Sequence, residues 1–267
     1  MLASRPGTSV DFTVLIPARY ASTRLPGKPL ADLGGRPMVV HVAERARASG
    51  ARGVIVATDD ARIADAAKAH GFDALITRPD HATGTDRLAE AAALLGLQDD
   101  EIVVNVQGDE PLLDAAVIRG VAEALRDVPD AAIATACHPL ASAAEFFSPN
   151  IVKVVCDQRG SALYFSRAPI PFARDDFRCS TEVLPAGLPA YRHIGLYAYR
   201  ASFLAKYPTL TKTALEQLRA LAHGYRIIVE VLPGPLPPGV DTEHDLTEVR
   251  RLFEQAANSG TMQGTSR

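Results

Sequence analysis

Cysteine is scarce in this chain, which has only Cys137, Cys156 and Cys179, widely spaced and without a C-x-x-C pair. That spacing excludes a disulfide framework and lacks the pattern of a zinc site. We therefore expect the three thiols to pack inside a protein of the reducing cytoplasm. Apolar runs are also short: none approaches the length of a membrane span, and the first eleven residues lack the apolar core of a signal peptide.

The chain also lacks a large excess of either positive or negative charge. The chain has 28 basic and 31 acidic residues, a net charge of -3 at pH 7 and a pI near 6.2. This balance excludes proteins that hold nucleic acid or a membrane surface by bulk charge. From its 267 residues we expect one domain over 12–257 with an inserted lobe around 151–200, and flexible tails at 1–11 and 258–267.

Two glycine-rich phosphate motifs are absent, G-x-G-x-x-G and the Walker sequence G-x-x-x-x-G-K-[ST]. A cationic loop follows the first short apolar run, 14–16. It carries Arg19, Arg24 and Lys28 together with two prolines and a glycine, so no helix passes through it. Two interpretations stay open: a solvated basic loop, or a loop that wraps the phosphates of a ligand with arginine and lysine side chains.

Strand patterns and amphipathic helix patterns alternate through the first half of the chain. Such alternation predicts an α/β fold with a mostly parallel sheet and helices on both faces. From about 151 two strands are joined by a turn, which predicts an antiparallel hairpin, and 169–189 is predicted to be loop. The predicted strands are 14–16, 54–58, 74–76, 102–106, 132–136, 151–155, 162–165, 193–199 and 226–232, and helices are predicted to begin near 37, 60, 86, 114, 215 and 242.

Acidic residues follow the central strand. Asp109 and Glu110 lie where the run 102–106 ends, and Asp241 follows a proline-rich segment at 233–239. Ligands of open α/β sheets bind beyond the carboxyl ends of the strands, where carboxylates hold hard divalent cations and the phosphates they carry. A polar turn that ends a strand is the simpler explanation of the first pair. Together with the cationic loop, the acids favour a magnesium nucleotide and a transferase that works by positioning and charge neutralisation.

Three further side chains have two interpretations each. Thr83 or Thr85 would cap the helix that begins near 86, and the same hydroxyls would also read a base or a ribose. His193, in a strand with two tyrosines, is either a hydrogen-bonded histidine of the fold or part of a site. These patterns predict a nucleotide-dependent transferase and do not name its acceptor.

Six segments of the chain are long and specific: PARYASTRLPGKP (17–29), NVQGDEP (105–111), YFSR (164–167), RHIGLY (192–197), LEQLR (215–219) and GVDT (239–242). In this order they closely resemble the 3-deoxy-D-manno-octulosonate (KDO) cytidylyltransferases, the CMP-KDO synthetase family, and the resemblance runs from about 12 to about 253. It implies a Rossmann-like nucleotidyltransferase fold with a small antiparallel dimerisation lobe, and a homodimer. It also implies that the anomeric hydroxyl of KDO attacks the α-phosphorus of CTP, giving CMP-KDO and pyrophosphate for lipopolysaccharide synthesis.

The resemblance further implies roles for individual residues. Triphosphate contacts are implied for Arg19, Arg24 and Lys28, and catalytic roles for Arg19, Lys28 and Asp109. Contacts near the cytidine are implied for Thr83 and Gln107, and Mg²⁺ coordination for Asp109 and Asp241. The residues implied for the sugar-acid site are Arg167, His193, Tyr197, Glu216 and Gln217.

One segment departs from the family pattern, because 207–214 lacks an acidic insert that the family carries ahead of LEQLR. Since that insert precedes Glu216 and Gln217, the acceptor stays open between KDO and a different acid, such as an amino-KDO analogue or a small phosphonate. Two other classes are alternatives. A Rossmann dehydrogenase would need the missing glycine fingerprint, and the retained lysine and aspartates speak against a CTP-binding regulator without catalysis.

Overall fold

A computed structural model describes residues 10–21, 24–178, 180–211 and 215–262. Cys179 and residues 1–9 and 263–267 lie outside this part of the chain. The strands are β1 (Phe12–Ala18), β2 (Asp32–Leu33), β3 (Arg36–Pro37), β4 (Gly53–Thr58), β5 (Asp73–Ile76), β6 (Ile102–Asn105), β7 (Ile133–Pro139), β8 (Lys153–Cys156), β9 (Ala162–Ser166), β10 (Tyr191–Arg200) and β11 (Ile227–Val231). The helices are α1 (Met38–Ala48), α2 (Ala61–Ala69), α3 (Gly84–Leu94), α4 (Ala115–Arg126), α5 (Ala143–Phe147), α6 (Arg174–Phe177), α7 (Ala201–Lys206), α8 (Glu216–Ala222) and α9 (Glu243–Met262).

The main sheet is mostly parallel, which confirms the prediction from alternation. Its strands follow the order β11-β7-β10-β6-β1-β4-β5, and the hairpin of β8 and β9 joins through β8 to β10. Strands β1, β4, β5 and β6 run parallel, β11 runs parallel to β7, and β10 runs antiparallel between β6 and β7. β1 is buried along its whole length, as a strand covered on both faces must be. The carboxyl ends of β1 and β6 meet at one edge of the sheet.

Helices cover both faces of this sheet because both faces are apolar. On one face α1, α2 and α4 pack through residues such as Val42, Ile63 and Ile118. On the other face α3 and α7 pack through Leu88 and Phe203, and α8 joins them. No helix in the described ranges is long and apolar enough to cross a membrane. Two cores, one on each face, give the three-layer α/β architecture that the sequence predicted.

Side-chain caps set where three of the helices begin. Asp60 and Asp114 each accept a hydrogen bond from the backbone N–H two residues further on, at 2.9 Å. Thr83 accepts one from the N–H of Asp86 at 3.1 Å. Of the two threonines proposed as the cap of α3, Thr83 is therefore the one that serves.

The inserted lobe is built on β8 and β9, which form the predicted antiparallel hairpin. Beside the hairpin, the rings of Phe146, Phe147 and Phe177 pack against one another with centroids between 5.2 and 5.5 Å apart. Phe177 ends α6, so the prediction of loop throughout 169–189 was wrong. A helix of four residues is too short to leave a periodic pattern in the sequence, and the same holds for the six residues of α7, which were not predicted.

A buried lysine fastens the hairpin to the rest of the lobe. Lys153 has no exposed surface, and its ammonium donates to the carbonyl oxygens of Ser148 (2.9 Å), Ile151 (2.8 Å) and Arg167 (2.5 Å). Three acceptors match the three protons of an ammonium. This full set of partners explains how the lobe keeps a charged group away from water.

The last helix is longer than the sequence predicted. α9 continues to Met262, so 258–262 is helical where a flexible tail was expected. At its start Thr242 and Asp245 form the predicted capping box: Thr242 N–H donates to Asp245 Oδ2 at 2.8 Å, and Asp245 N–H donates to Thr242 Oγ1 at 3.2 Å. Residues 258–262 carry no apolar stripe in the sequence, so periodicity gave no signal there.

Replacing Lys153 by methionine should destabilise the protein, because three buried carbonyl oxygens would lose their donor. We expect the free energy of unfolding to fall by about 1–3 kcal/mol, measured by urea denaturation followed by circular dichroism. Lys206→Met, at an exposed position of α7, is the matched control and should change it by less than about 0.5 kcal/mol. Equal stabilities of the two variants would show that the three hydrogen bonds contribute nothing net.

Candidate active site

A cleft of about 640 Å³ opens at the edge of the sheet where β1 and β6 end. The loop after β1 contributes cations to it and the loop after β6 contributes a carboxylate pair, an arrangement that the sequence suggested. Nine of the predicted site residues line this cleft. They are Arg19, Arg24, Lys28, Gln107, Asp109, Tyr197, Glu216, Gln217 and Asp241.

One ammonium lies between two carboxylates in this cleft. Lys28 Nζ is 2.6 Å from Asp109 Oδ2 and 3.3 Å from Asp241 Oδ1. Arg24 Nη2 is 3.5 Å from Asp241 Oδ2. Only 13% of the Lys28 side chain is exposed, so its attraction to Asp109 is screened less than that of a surface ion pair. Three segments that are distant in sequence therefore share one charge centre.

The two aspartates have the ligand chemistry that a hard divalent cation requires. Their carboxylate oxygens already converge on a positive charge, the Lys28 ammonium. Magnesium is commonly held by one or two carboxylates, while substrate phosphates and water complete its octahedron. Within the ranges that the structure describes, no group of three or more histidine, cysteine, aspartate or glutamate side chains forms a metal cage. Asp109 and Asp241 are thus the residues that would hold a phosphate-bound metal ion.

The proline-rich segment 233–239 delivers Asp241 to the loop after β6. Val240 N–H donates to the carbonyl oxygen of Asp109 at 2.8 Å, which joins the two segments through their backbones. On the other side, Asp241 N–H donates to Asp245 Oδ2 at 3.0 Å, at the start of α9. The carboxylate of Asp241 is therefore positioned from both directions along the chain.

Glu110 is confined beside the same charge centre. A Cβ on Gly239 would lie 2.9 Å from Glu110 Oε1, so a side chain at this position would displace the Glu110 carboxyl. Burial raises the pKa of Glu110 to about 7, the negative charges of Asp109 and Asp241 add to that effect, and Lys28 opposes it. Near neutral pH this carboxyl is divided between its protonated and ionised forms.

An aromatic contact that the sequence did not reveal anchors the cationic loop. The guanidinium carbon of Arg62 lies 3.5 Å from the centre of the Tyr20 ring. Asp60 accepts two hydrogen bonds from the same guanidinium, at 2.9 and 2.6 Å. Gly27 donates its N–H to Tyr20 O at 3.0 Å and has a φ of 70°, a conformation that glycine adopts without strain. Helix α2 therefore holds the middle of the loop through Tyr20.

Glu216 and Gln217 reach the cleft in spite of the short segment before them, part of which (212–214) lies outside the described residues. Glu216 Oε2 accepts from the hydroxyl of Thr85 at 2.7 Å and from that of Tyr207 at 3.3 Å. The Tyr197 hydroxyl donates to Gln217 Oε1 at 3.4 Å. Thr85, which the sequence offered as an alternative cap or as a contact to a base or ribose, is a wall residue that orients Glu216.

His193 belongs to a second space, which we call the side chamber. The chamber measures about 260 Å³ and shares Gln107, Glu110 and Gly195 with the cleft. His193 Nε2 is 3.0 Å from the hydroxyl oxygen of Thr135, and burial lowers the pKa of His193 to about 3. The imidazole is neutral at physiological pH and acts there as a hydrogen-bonding group, not as a charge.

Two predicted site residues lie away from both spaces. The guanidinium of Arg167 donates to the carbonyl oxygens of Pro149 and Asn150, at 3.0 and 3.2 Å, because the fold of the lobe turns it toward that segment. Thr83 uses its hydroxyl to cap α3 and donates it to Asp86 Oδ2 at 2.9 Å. The positions at the front of α3 that line the cleft are Gly84 and Thr85.

Comparisons with known proteins identify the family to which this chain belongs. The family model described as cytidylyltransferase matches residues 13–236. The chain is similar to a solved CMP:2-keto-3-deoxy-manno-octonic acid synthetase in complex with CTP, with 41% identity, a TM-score of 0.83, and coverage of 92% of this chain and 99% of that one. It also shares its fold with a nucleotidyl transferase from Methanothermobacter thermautotroptrophicus, at 16% identity, a TM-score of 0.58 and the same coverages of 92% and 99%.

Stability should depend on pH through Glu110. Its folded-state pKa of about 7 lies above its ordinary value of 4.5, so the folded state binds more protons than the unfolded state between these values. The stabilisation from this bound proton is therefore complete at low pH. As pH rises through this window, the free energy of unfolding falls by about 3 kcal/mol.

Glu110→Gln removes this titration. Without divalent cations, we expect the variant to gain stability relative to the unmodified protein as pH rises from 4.5 to 8, measured by urea unfolding at each pH. A stability difference between the two proteins that stays constant over that range would contradict the raised pKa.

Proposed function

Because the chain belongs to the cytidylyltransferase family, we propose that it couples CTP to the anomeric hydroxyl of 3-deoxy-D-manno-octulosonate, giving CMP-KDO and pyrophosphate for lipopolysaccharide synthesis. Family membership itself makes the chain a nucleotidyltransferase. The observation that supports this choice of substrate is the cleft, which brings together the cationic loop, the two aspartates and the Glu216–Gln217 pair. The chain that forms this cleft is 41% identical to a CMP:2-keto-3-deoxy-manno-octonic acid synthetase in complex with CTP.

The triphosphate of CTP binds the cationic loop in this proposal. Arg19, Arg24 and Lys28 line one cleft and carry three positive charges against the negative phosphates. Lys28 exchanges part of its contact with Asp109 for a phosphoryl oxygen when the nucleotide enters. A cation already fixed near the reacting phosphorus needs no reorganisation as charge develops there, which favours the transition state over the ground state.

Asp109 and Asp241 hold Mg²⁺ in the proposal. Such an ion would act as a template and Lewis acid for the triphosphate. The two carboxylates fit this role because both are ionisable oxygen donors that face one positive charge across the cleft. Their fixation by the backbone contact between Val240 and Asp109 keeps the pair assembled before a nucleotide binds.

The nucleoside and the acid occupy the remaining walls. Gln107, with Thr83 at the front of α3, is assigned to the cytidine, and Gln107 is the better supported because it lines the cleft. His193, Tyr197, Glu216 and Gln217, with Arg167 of the lobe, are assigned to the sugar acid. The acceptor hydroxyl oxygen forms a bond to the α-phosphorus, the bond from that phosphorus to the bridging oxygen breaks, pyrophosphate leaves, and the hydroxyl proton passes to solvent.

We test the function by measuring pyrophosphate release from CTP and Mg²⁺ with KDO, and separately with an amino-KDO analogue, small phosphonates and other 2-keto acids. Turnover with KDO at a kcat/KM at least tenfold above that of each other acid supports the proposal. Release with another acid alone would replace the acceptor and leave the CTP site as described. Absence of release with every acid would overturn the proposed reaction.

Lys28→Met should lower kcat/KM by about 10²- to 10³-fold in the same assay, because a fixed cation at the phosphoryl group is lost. Lys68→Met, at an exposed position of α2, is the matched control and should retain full activity. Asp241→Asn adds a distinct readout: the Mg²⁺ concentration that gives half-maximal rate should rise. An active Lys28→Met protein would show that the charge centre is structural.

We also propose that the protein is a cytoplasmic homodimer that pairs through its lobe. Phe172 and Val183 of the lobe are 56% and 71% exposed, and exposed apolar side chains of this size mark interaction surfaces. Phe172→Asp should shift the mass measured by light scattering from dimer to monomer. Ile76→Asp, equally exposed on the distant edge strand β5, is the control and should leave the mass unchanged. A monomer before any substitution would contradict the proposal.

A further inference from the structure

The side chamber is a space that the transfer of the nucleotide does not explain. It lies against the proline-rich segment 233–239 and adjoins the cleft along a shared wall of Gln107, Glu110 and Gly195. Its remaining walls are partly apolar, with Leu113 as an example, and its volume is about 260 Å³. A space of this size beside a reaction centre admits part of a small substrate.

Gly195 lies where the cleft and the side chamber adjoin. A Cβ at this position would meet no heavy atom within 4 Å. Strand β10 is irregular here, because its pairing with β7 shifts register between Ile194 and Tyr197. The irregular strand and the missing side chain together leave an opening between the two spaces.

Arg192 contributes a guanidinium to the wall of the side chamber. Its side chain is 46% exposed, and its ion pair with Glu145 Oε1 spans 3.7 Å, which is longer than a hydrogen bond. The forked donors of an arginine match the two oxygens of a carboxylate. A carboxylate that enters the chamber therefore finds a donor that is not strongly engaged by the protein.

The part of the cleft beside Glu216 is a poor place for the carboxylate of the acid. Glu216 already places a carboxylate there, held by Thr85 and Tyr207, and a second negative charge beside it is repelled. Arg167 donates its guanidinium to backbone carbonyls of the lobe. The hydroxyl groups of a sugar acid suit the cleft, and its carboxylate suits the side chamber.

We propose that the side chamber receives the carboxylate of the acid substrate and that Arg192 binds it. The acid then lies across the opening at Gly195, with its reacting hydroxyl in the cleft. The inference rests on the proposed function in one respect, that the acceptor carries a carboxylate. Arg192 in this arrangement is a specificity-determining residue, because it distinguishes acids from neutral sugars without touching the phosphorus.

The test compares KDO with its primary amide, which has nearly the same shape and no charge. In the unmodified protein we expect kcat/KM to be about 10- to 100-fold higher for the acid than for the amide. Arg192→Met should reduce that ratio to near one by raising the KM for the acid, while the KM for CTP changes less than twofold. Arg192→Lys should restore part of the ratio, because a lysine supplies charge without the fork.

Three comparisons decide the outcome. Arg159→Met, at the exposed turn of the hairpin, is the matched control and should keep the full ratio. Loss of the ratio in Arg167→Met but not in Arg192→Met would overturn the proposal in favour of the lobe arginine. A higher KM for CTP in Arg192→Met, with the ratio intact, would overturn it in favour of a phosphate contact.

Gly195→Leu provides an independent measurement, because its side chain would fill the opening. We expect the KM for the acid to rise at least tenfold and the KM for CTP to stay within twofold, while Gly195→Ala shows a smaller effect. An unchanged KM for the acid in Gly195→Leu would exclude the side chamber. If KDO itself is not turned over, the proposed function fails, and the same ratio is then measured with the acid that is turned over; if none is, both proposals are overturned.

Discussion

The attraction between Lys28 and the two aspartates is the interaction on which the arrangement of the cleft depends. Asp109 follows β6, Asp241 precedes α9, and Lys28 lies in the loop after β1, so one ammonium joins three segments at the edge of the sheet. Without that cation, two carboxylates in a partly buried place would repel each other. The groups that we propose to bind substrate therefore also offset one another's charge within the folded chain.

The neighbouring contacts support this centre from outside. The loop that carries Lys28 is fixed to α2 through the ring of Tyr20 and the guanidinium of Arg62, and Asp241 is fixed by hydrogen bonds on both sides. These contacts matter because charge stabilisation during a reaction needs groups that are already in place.

Most of the fold could be predicted from the sequence, because strands such as 54–58 and helices such as 60–70 are local patterns. The cationic loop and Asp109 were also visible, since strand ends are local. Contacts between residues that are distant in the sequence could not be predicted, because no periodicity links Tyr20 with Arg62, or Thr85 with Glu216. The assignment of Arg167 to the sugar-acid site stays a prediction, because it came from a motif and a motif does not specify the direction in which a side chain points in the folded lobe.

β10 is the antiparallel strand between two parallel neighbours, and this has an evolutionary consequence. Because it runs against β6, its first half projects beyond the end of β6, where it pairs with β7 and β8, while its second half pairs with β6 and β7. Gly195, in the projecting half, lines the cleft. Substitutions in 192–197 therefore change this projecting part of the strand and leave the cationic loop after β1 untouched. One short stretch of chain is free to diverge while the loop on the other side of the cleft is inherited unchanged.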